Sequence, residues 1–128
     1  MSTDCPYCPV SDSDTQIFFD RELVLYMQAD KYQGSLKYSG VIIPKAHRKT
    51  VFDMTPQEVL ATFELLADVK SWMDSSYQPD GYKVGWNCFP TGGQEVMHAH
   101  MHVIPRFTAE PMAGKGIRAA LKSDENKW

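Results

Sequence analysis

Three of the four histidines in this 128-residue chain stand at His98, His100 and His102, separated only by Ala99 and Met101. A β-strand has a side-chain period of two, so this spacing predicts three imidazoles on one strand face. Met97, Ala99, Met101 and Val103 then fall on the opposite face, where they can pack into a core. Three imidazoles on one face can bind a metal, bind phosphate, or supply a nucleophile with its helpers. Imidazole suits the last task because its ordinary pKa lies near neutrality and both charge states are accessible. Just before the histidines runs Gly92-Gly93-Gln94-Glu95. Paired glycines permit close backbone approach and positive φ, which is how loops form anion-binding nests, and Gln94 adds an amide donor. A half-buried polar strand face would also show alternating histidines, but it gives no reason for a Gly-Gly-Gln loop beside them.

A second constellation is Cys5-Pro6-Tyr7-Cys8. Two intervening residues let both thiolates reach one tetrahedral ion. The same spacing occurs in redox pairs, although those usually sit at a helix start after a strand. Two unrelated surface cysteines are the third reading. A zinc site would need two more ligands, and the chain offers only His47, His98, His100 and His102. His47 follows an apolar run ending at Pro44, so a ligand there is placed to point back across a sheet.

These groups need elements to hold them. Residues 1–14 read as an irregular start. Gln16–Phe19 and Leu23–Met27 read as strands around a turn at Asp20-Arg21-Glu22, 30–35 as a polar loop, and Tyr38–Ile43 as a strand ended by Pro44. Thr55-Pro56-Gln57-Glu58 is a helix start: Thr55 can cap, Pro56 lacks an N–H that would be unpaired anyway, and Glu58 completes a capping box. Val59, Leu60, Phe63, Leu66, Val69 and Met73 then predict one buried face and a helix to about Ser75. Tyr82–Phe89 reads as a strand, 90–94 as a loop feeding the histidines, and the tail from Thr108 as polar with a short helix over 117–122. Strands on either side of one long helix predict an α+β domain, the helix packed on a mostly antiparallel sheet.

Length predicts one domain over residues 1–128. Net charge is −3 and the chain has no basic block, which argues against a sequence-independent nucleic-acid binder and favours a small ligand. No apolar stretch approaches the roughly 20 residues of a membrane span, and the first residues do not read as a signal peptide. Three cysteines cannot all pair internally, so a reducing, cytoplasmic setting is expected.

The stretch from Gly93 to Arg106, GQEVMHAHMHVIPR, resembles the signature of the histidine-triad (HIT) superfamily: His, apolar, His, apolar, His, then two apolar residues. The likeness extends to Gly40–His47 (GVIIPKAH), to Gly81-Tyr82 and Asn87, and to the Cys5/Cys8 pair, covering most of residues 1–106. It implies a HIT-like α+β fold paired in a homodimer, with a nucleotide bound by each protomer. It further implies a hydrolase in which His100 attacks an α-phosphorus to form a nucleotidyl-histidine that water then cleaves. In that scheme the His98 carbonyl sets the His100 tautomer. His102 and the Gln94 side chain stabilise phosphate charge, Asn87 orients the phosphate, and Gly93 lines the pocket. The resemblance to zinc-bearing members implies one structural zinc on Cys5, Cys8, His47 and His98.

Two positions depart from the family pattern. Ser39 stands where many members carry a histidine that touches the α-phosphate. Glu95 stands where a Ser or Thr is common near the leaving group; a carboxylate there can protonate a leaving group, and it repels a polyanionic one. Asp30 is an approximate counterpart of a ribose-binding acidic residue. Cys88 reads as a buried strand residue with no role. Two alternatives to hydrolysis stand beside it: nucleotidyl transfer by the same mechanism, and a zinc-stabilised nucleotide-binding or sensor protein with little turnover.

Overall fold

The structure, a computed structural model, describes residues 5–8, 15–29, 33–34 and 36–128; Asp30 and the polar start at 9–14 lie outside the described residues. Five strands and one long helix account for the architecture: β1 (Thr15–Asp20), β2 (Val24–Ala29), β3 (Gly40–Pro44), α1 (Pro56–Ser76), β4 (Gly81–Trp86) and β5 (Met101–Arg106), followed by a single-turn α2 (Arg118–Leu121). The strands form one sheet in the order β1-β2-β3-β5-β4, and every neighbouring pair is antiparallel. This is the expected α+β arrangement.

The helix starts where local chemistry dictates. Thr55 accepts a hydrogen bond from the Glu58 N–H, Glu58 accepts from the Thr55 N–H, and Pro56 occupies the first turn. The expected buried face holds in part: Val69 and Met73 are buried and Val59 and Leu66 half-buried. Glu58, Thr62, Leu65, Val69 and Met73 are buried, whereas Leu60 is 62% and Phe63 52% exposed. Apolar residues lie on both sides of the helix, and packing against β2 and β3 selects the side that carries the smaller Thr62.

The sheet is covered on both faces, which is why β2 reads as a nearly continuous apolar run. On the helix side, Val24, Tyr26, Ile42, Met101 and Val103 pack with Leu65, Val69 and Met73. On the other side, Leu25, Met27 and Ile43 pack with Tyr7 from the cysteine segment. Gly40 lets β3 approach β2: a Cβ there would fall on the Tyr26 hydroxyl and 2.6 Å from the Met27 carbonyl oxygen.

The histidine segment corrects the single-strand expectation. Ladder pairing of β5 begins at Met101, opposite Ile42 and Trp86, so only His102 lies on a strand. His98 and His100 precede it in an extended segment tied by the Ala99 N–H to the Arg48 carbonyl at 2.6 Å. Ala99, Met101 and Val103 are buried as expected, while Met97 is half-buried. Asn87 and Cys88 lie beyond the end of β4, and Cys88 is half-buried rather than a buried strand residue.

Candidate functional site

Two sites meet along this histidine segment. In the first, ligand atoms of Cys5, Cys8, His47 and His98 all lie within 4.8 Å of one another. The Cys8 Sγ is 3.0 Å from the Nδ1 atoms of both His47 and His98. The Cys5 Sγ is 3.4 Å from the His98 Nδ1, and the two Nδ1 atoms are 3.2 Å apart. A tetrahedral ion with bonds of about 2.0–2.3 Å spaces its ligands roughly 3.3–3.8 Å apart, so the four atoms are gathered at the scale of one metal's coordination shell.

Protonation strengthens the argument. The other ring nitrogen of His98, Nε2, lies 2.8 Å from the Pro44 carbonyl and must donate to it, which leaves a lone pair on Nδ1 aimed at the thiols. Such an outer hydrogen bond is what orients metal-bound histidines. Burial, with Cys5 alongside, pushes the Cys8 thiol up to about 11. Thiol and imidazole donors that converge on one point call for a cation, and two thiols with two imidazoles suit zinc. The donor set fits a structural ion.

The second site is a cavity of about 340 Å³ on the face of the sheet away from α1, walled by Tyr7, Asn87, Gly93, Glu95, His100 and His102 and floored by apolar residues of β2, β3 and β5. His100 is buried, and its Nδ1 lies 2.7 Å from the His98 carbonyl. A carbonyl only accepts, so Nδ1 carries the proton and Nε2 the lone pair. Burial holds the His100 pKa below its ordinary value against that hydrogen bond. His102 is pushed down to about 4 by burial, with His100 and Lys83 adding to the effect. The two rings meet at 4.9 Å between centroids and 71° between planes. At neutral pH the cavity presents a neutral, lone-pair-bearing imidazole beside a second neutral imidazole, suited to nucleophilic attack.

The Gly93 loop is shaped for the cavity. Gly93 has φ of +98°, a left-handed conformation that glycine adopts without cost, and a Cβ there would lie 3.5 Å from the Asn87 side chain. Gln94 does not take the phosphate-facing place expected of it. Its side chain is buried, its Oε1 accepts the Phe89 N–H at 2.7 Å, and its Nε2 donates to the Lys49 carbonyl at 2.6 Å and the Val96 carbonyl at 3.0 Å. Both amide hydrogens are committed, so Gln94 builds the loop from within. It holds Phe89 at φ +65° and ψ +158°, a region essentially reserved for glycine. Ser39 lines the cavity but donates its hydroxyl to the Leu36 carbonyl at 2.7 Å. Sequence reasoning assigned no role to Tyr7; its position between the two thiols was the available signal.

Comparison with known proteins gives a consistent picture. A sequence profile of the HIT domain matches residues 11–109. Protein hit of Bacillus subtilis is 23% identical over 127 residues, spanning 97% of this chain and 83% of that protein. The asymmetrical bis(5'-nucleosyl)-tetraphosphatase of Schizosaccharomyces pombe is 25% identical over 85 residues, 66% of this chain and 47% of that protein. The crystal structure of SMU.412c from Streptococcus mutans superposes with a TM-score of 0.76 at 25% identity, covering 90% of this chain and 73% of that one.

Proposed function

This chain belongs to the HIT family, and on that premise we propose that it is a nucleoside-phosphate hydrolase with His100 as nucleophile. The observation that carries this reading is the His100 ring: it lines the cavity, is held neutral by burial, and has its Nδ1–H fixed by the His98 carbonyl. In the first step the Nε2 lone pair forms a bond to the α-phosphorus. The leaving group departs with the electrons of its own bond to phosphorus and takes up a proton. His100 now carries a cationic charge, shared through Nδ1–H with the His98 carbonyl. In the second step a water oxygen bonds to phosphorus, the N–P bond breaks, its electrons return to Nε2, and the water gives up a proton. His102, Asn87 and Gly93 line the same cavity and are placed to border the reacting phosphate. The leaving group draws its proton from solvent, and the Glu95 carboxylate at the cavity wall is placed to receive the proton that the attacking water gives up.

A zinc ion held by Cys5, Cys8, His47 and His98 would act as a structural cross-link, tying the N-terminal segment to the histidine segment. Among the described residues β4 ends the sheet with an unpaired outer edge, and Leu60 and Phe63 stand exposed on α1. Both features favour pairing of two copies in solution. No described helix is long and apolar enough to cross a membrane.

Incubation with an adenosine phosphoramidate and with dinucleoside polyphosphates tests the reading. Mononucleotide release is expected from wild type and not from His100→Asn; release that survives the substitution removes His100 as nucleophile. Addition of alcohol or amine acceptors separates hydrolysis from transfer, since a transferase yields the corresponding nucleotidyl ester or amide. A nucleotide-binding protein with little turnover is the second reading, favoured by Ser39 having its hydroxyl engaged with the backbone. Binding of mononucleotide by wild type without product release would select it.

A further inference from the structure

At the end of the cavity remote from His100, Gln33 and Ser39 share a wall with Ala29, Leu36 and Ile104. The sheet register places that end. Val41 pairs with His102 and Gly40 with Val103, so Ser39, the residue before β3, lies past His102 on the side away from His100. Gln33 is fastened to the same point, its Nε2 donating to the Ser39 carbonyl at 3.1 Å.

The surroundings fix which way the Gln33 amide faces. A carbonyl only accepts, so Nε2 and not Oε1 is turned to Ser39. The Tyr38 carbonyl orients the Gln28 amide by the same logic, accepting from the Gln28 Nε2 at 3.2 Å. Gln28 Oε1 is then left to accept from the Gln33 Nε2, also at 3.2 Å. Both Gln33 amide hydrogens are thereby committed to the protein, and the polar atom its side chain has left to offer the cavity is Oε1, an acceptor. Ser39 is in the same condition, since its hydroxyl donates to the Leu36 carbonyl at 2.7 Å and keeps only lone pairs. Among the described residues, the polar side chains at this end present acceptors and no donor.

Base and phosphate are attached at opposite ends of a ribose, so a nucleotide with its phosphate at His100 sets its base at this end. Acceptors set among apolar groups pair with a base that brings an N–H and are left unpaired by one that brings a bare C–H. We propose that Gln33 is a specificity-determining residue that selects nucleotides whose base carries an exocyclic amine at its far edge, as adenine does. Its Oε1 accepts the amine N–H. The inference rests on the reading of the cavity as a nucleotide site.

The test is calorimetric titration with AMP and with purine riboside 5'-monophosphate, which has the same ring system and lacks the amine. Wild type is expected to bind AMP about tenfold more tightly than the analogue, because the analogue leaves the acceptor unpaired. Gln33→Met, which keeps the length of the side chain without the acceptor, is expected to weaken AMP about tenfold and the analogue less than about twofold, so that the preference disappears. A structural role alone would weaken both ligands together; an unchanged ratio in Gln33→Met therefore overturns the proposal. Equal affinity of wild type for the two ligands overturns it whether or not the variant folds. Failure of AMP to bind at all overturns the nucleotide reading of the cavity and this proposal together. Because binding is read without turnover, loss of the Gln33 assignment is distinct from loss of the hydrolase reading, which His100→Asn tests.

Discussion

The backbone carbonyl of His98 accepts the Nδ1–H of His100 at 2.7 Å, while the His98 ring turns its own Nδ1 toward the thiols of Cys5 and Cys8. One residue thus faces the metal donors with its side chain and the candidate nucleophile with its backbone. The turn after β3 locks this arrangement from the other side. His47 joins the donor cluster, the Arg48 carbonyl holds the Ala99 N–H, and the Lys49 carbonyl holds the Gln94 amide. Three consecutive residues therefore tie the donor cluster, the histidine segment and the Gly93 loop to one short piece of chain.

Metal removal is expected to cost stability first. The free energy of binding a structural ion is folding free energy when the site forms only in the folded chain. Untagged protein should carry about one zinc per chain by elemental analysis, as expected for one tetrahedral site. Cys8→Ser should lower that content severalfold and lower Tm by about 10 °C or more. A Cys8→Ser protein with wild-type Tm and zinc content would remove Cys8 from the ligand set.

Gln94→Ala strips partners from the Phe89 N–H and from the Lys49 and Val96 carbonyls at once. Fully buried groups left unpaired cost about 1–3 kcal/mol each, but these bonds are part-buried and water can replace some of them. A net loss of about 1–2 kcal/mol is therefore expected in chemical denaturation. Phe89 then loses the bond that holds its unfavourable φ, and the Gly93 loop relaxes. Activity should fall with it. Gln94→Glu, which cannot donate both bonds, should resemble Gln94→Ala; a variant with wild-type stability but lost activity would restore the phosphate-facing role.

The contrast between Thr55 and Gln94 shows what sequence can carry. Thr55, Pro56 and Glu58 are neighbours, their bonds are local, and the helix start was legible to the residue. The Gln94 partner at Lys49 lies 45 residues away, and no spacing rule reaches that far. The alternation of β5 was legible from Met101 onward because ladder pairing enforces it. His98 and His100 escaped it because the Ala99 N–H bonds the Arg48 carbonyl instead of a strand. Helix periodicity marked Leu60 and Phe63 as core, yet both sides of α1 carry apolar residues, and only packing against the sheet decides between them. The four candidate metal donors span residues 5 to 98; the pattern of a family joined them, since spacing alone left redox and surface readings open.

Acid should destabilise the fold through His102. Its pKa in the folded chain is about 4, against an ordinary value of 6.5. Between these values the unfolded chain binds the proton and the folded chain does not, so stability falls as pH drops from 6.5 toward 4 and is insensitive to this group above 6.5. Roughly 1–2 kcal/mol is expected over that window once partial exposure is discounted. Urea denaturation of wild type and His102→Gln at a series of pH values reads the difference. Parallel stability profiles for the two proteins would show that His102 is not the titrating group.

Glu58 offers a prediction remote from the cavity. Its carboxylate accepts the Thr55 N–H at 2.8 Å to cap α1 and the Arg48 Nε–H at 3.0 Å, with its side chain only 5% exposed. Burial raises its pKa, but the bonds from Arg48 and Thr55 together outweigh burial and leave it below the usual carboxylate value. Arg48 in turn holds the Ala99 N–H through its carbonyl, so the ion pair steadies the backbone between His98 and His100. Arg48→Met leaves a buried carboxylate without its cation and is expected to cost about 3 kcal/mol. Glu58→Ala loses the pair and half the capping box, and should cost a similar amount, about 2–3 kcal/mol. Because both substitutions break one interaction, their effects should not add: the double variant should be more stable than the sum of the singles predicts, by about 1 kcal/mol or more. In each variant kcat should fall further than KM rises, since the substrate wall is intact while the histidine segment loosens. Additive losses within about 0.5 kcal/mol would show that the two residues act independently, and unchanged kcat would break the link from α1 to the histidines.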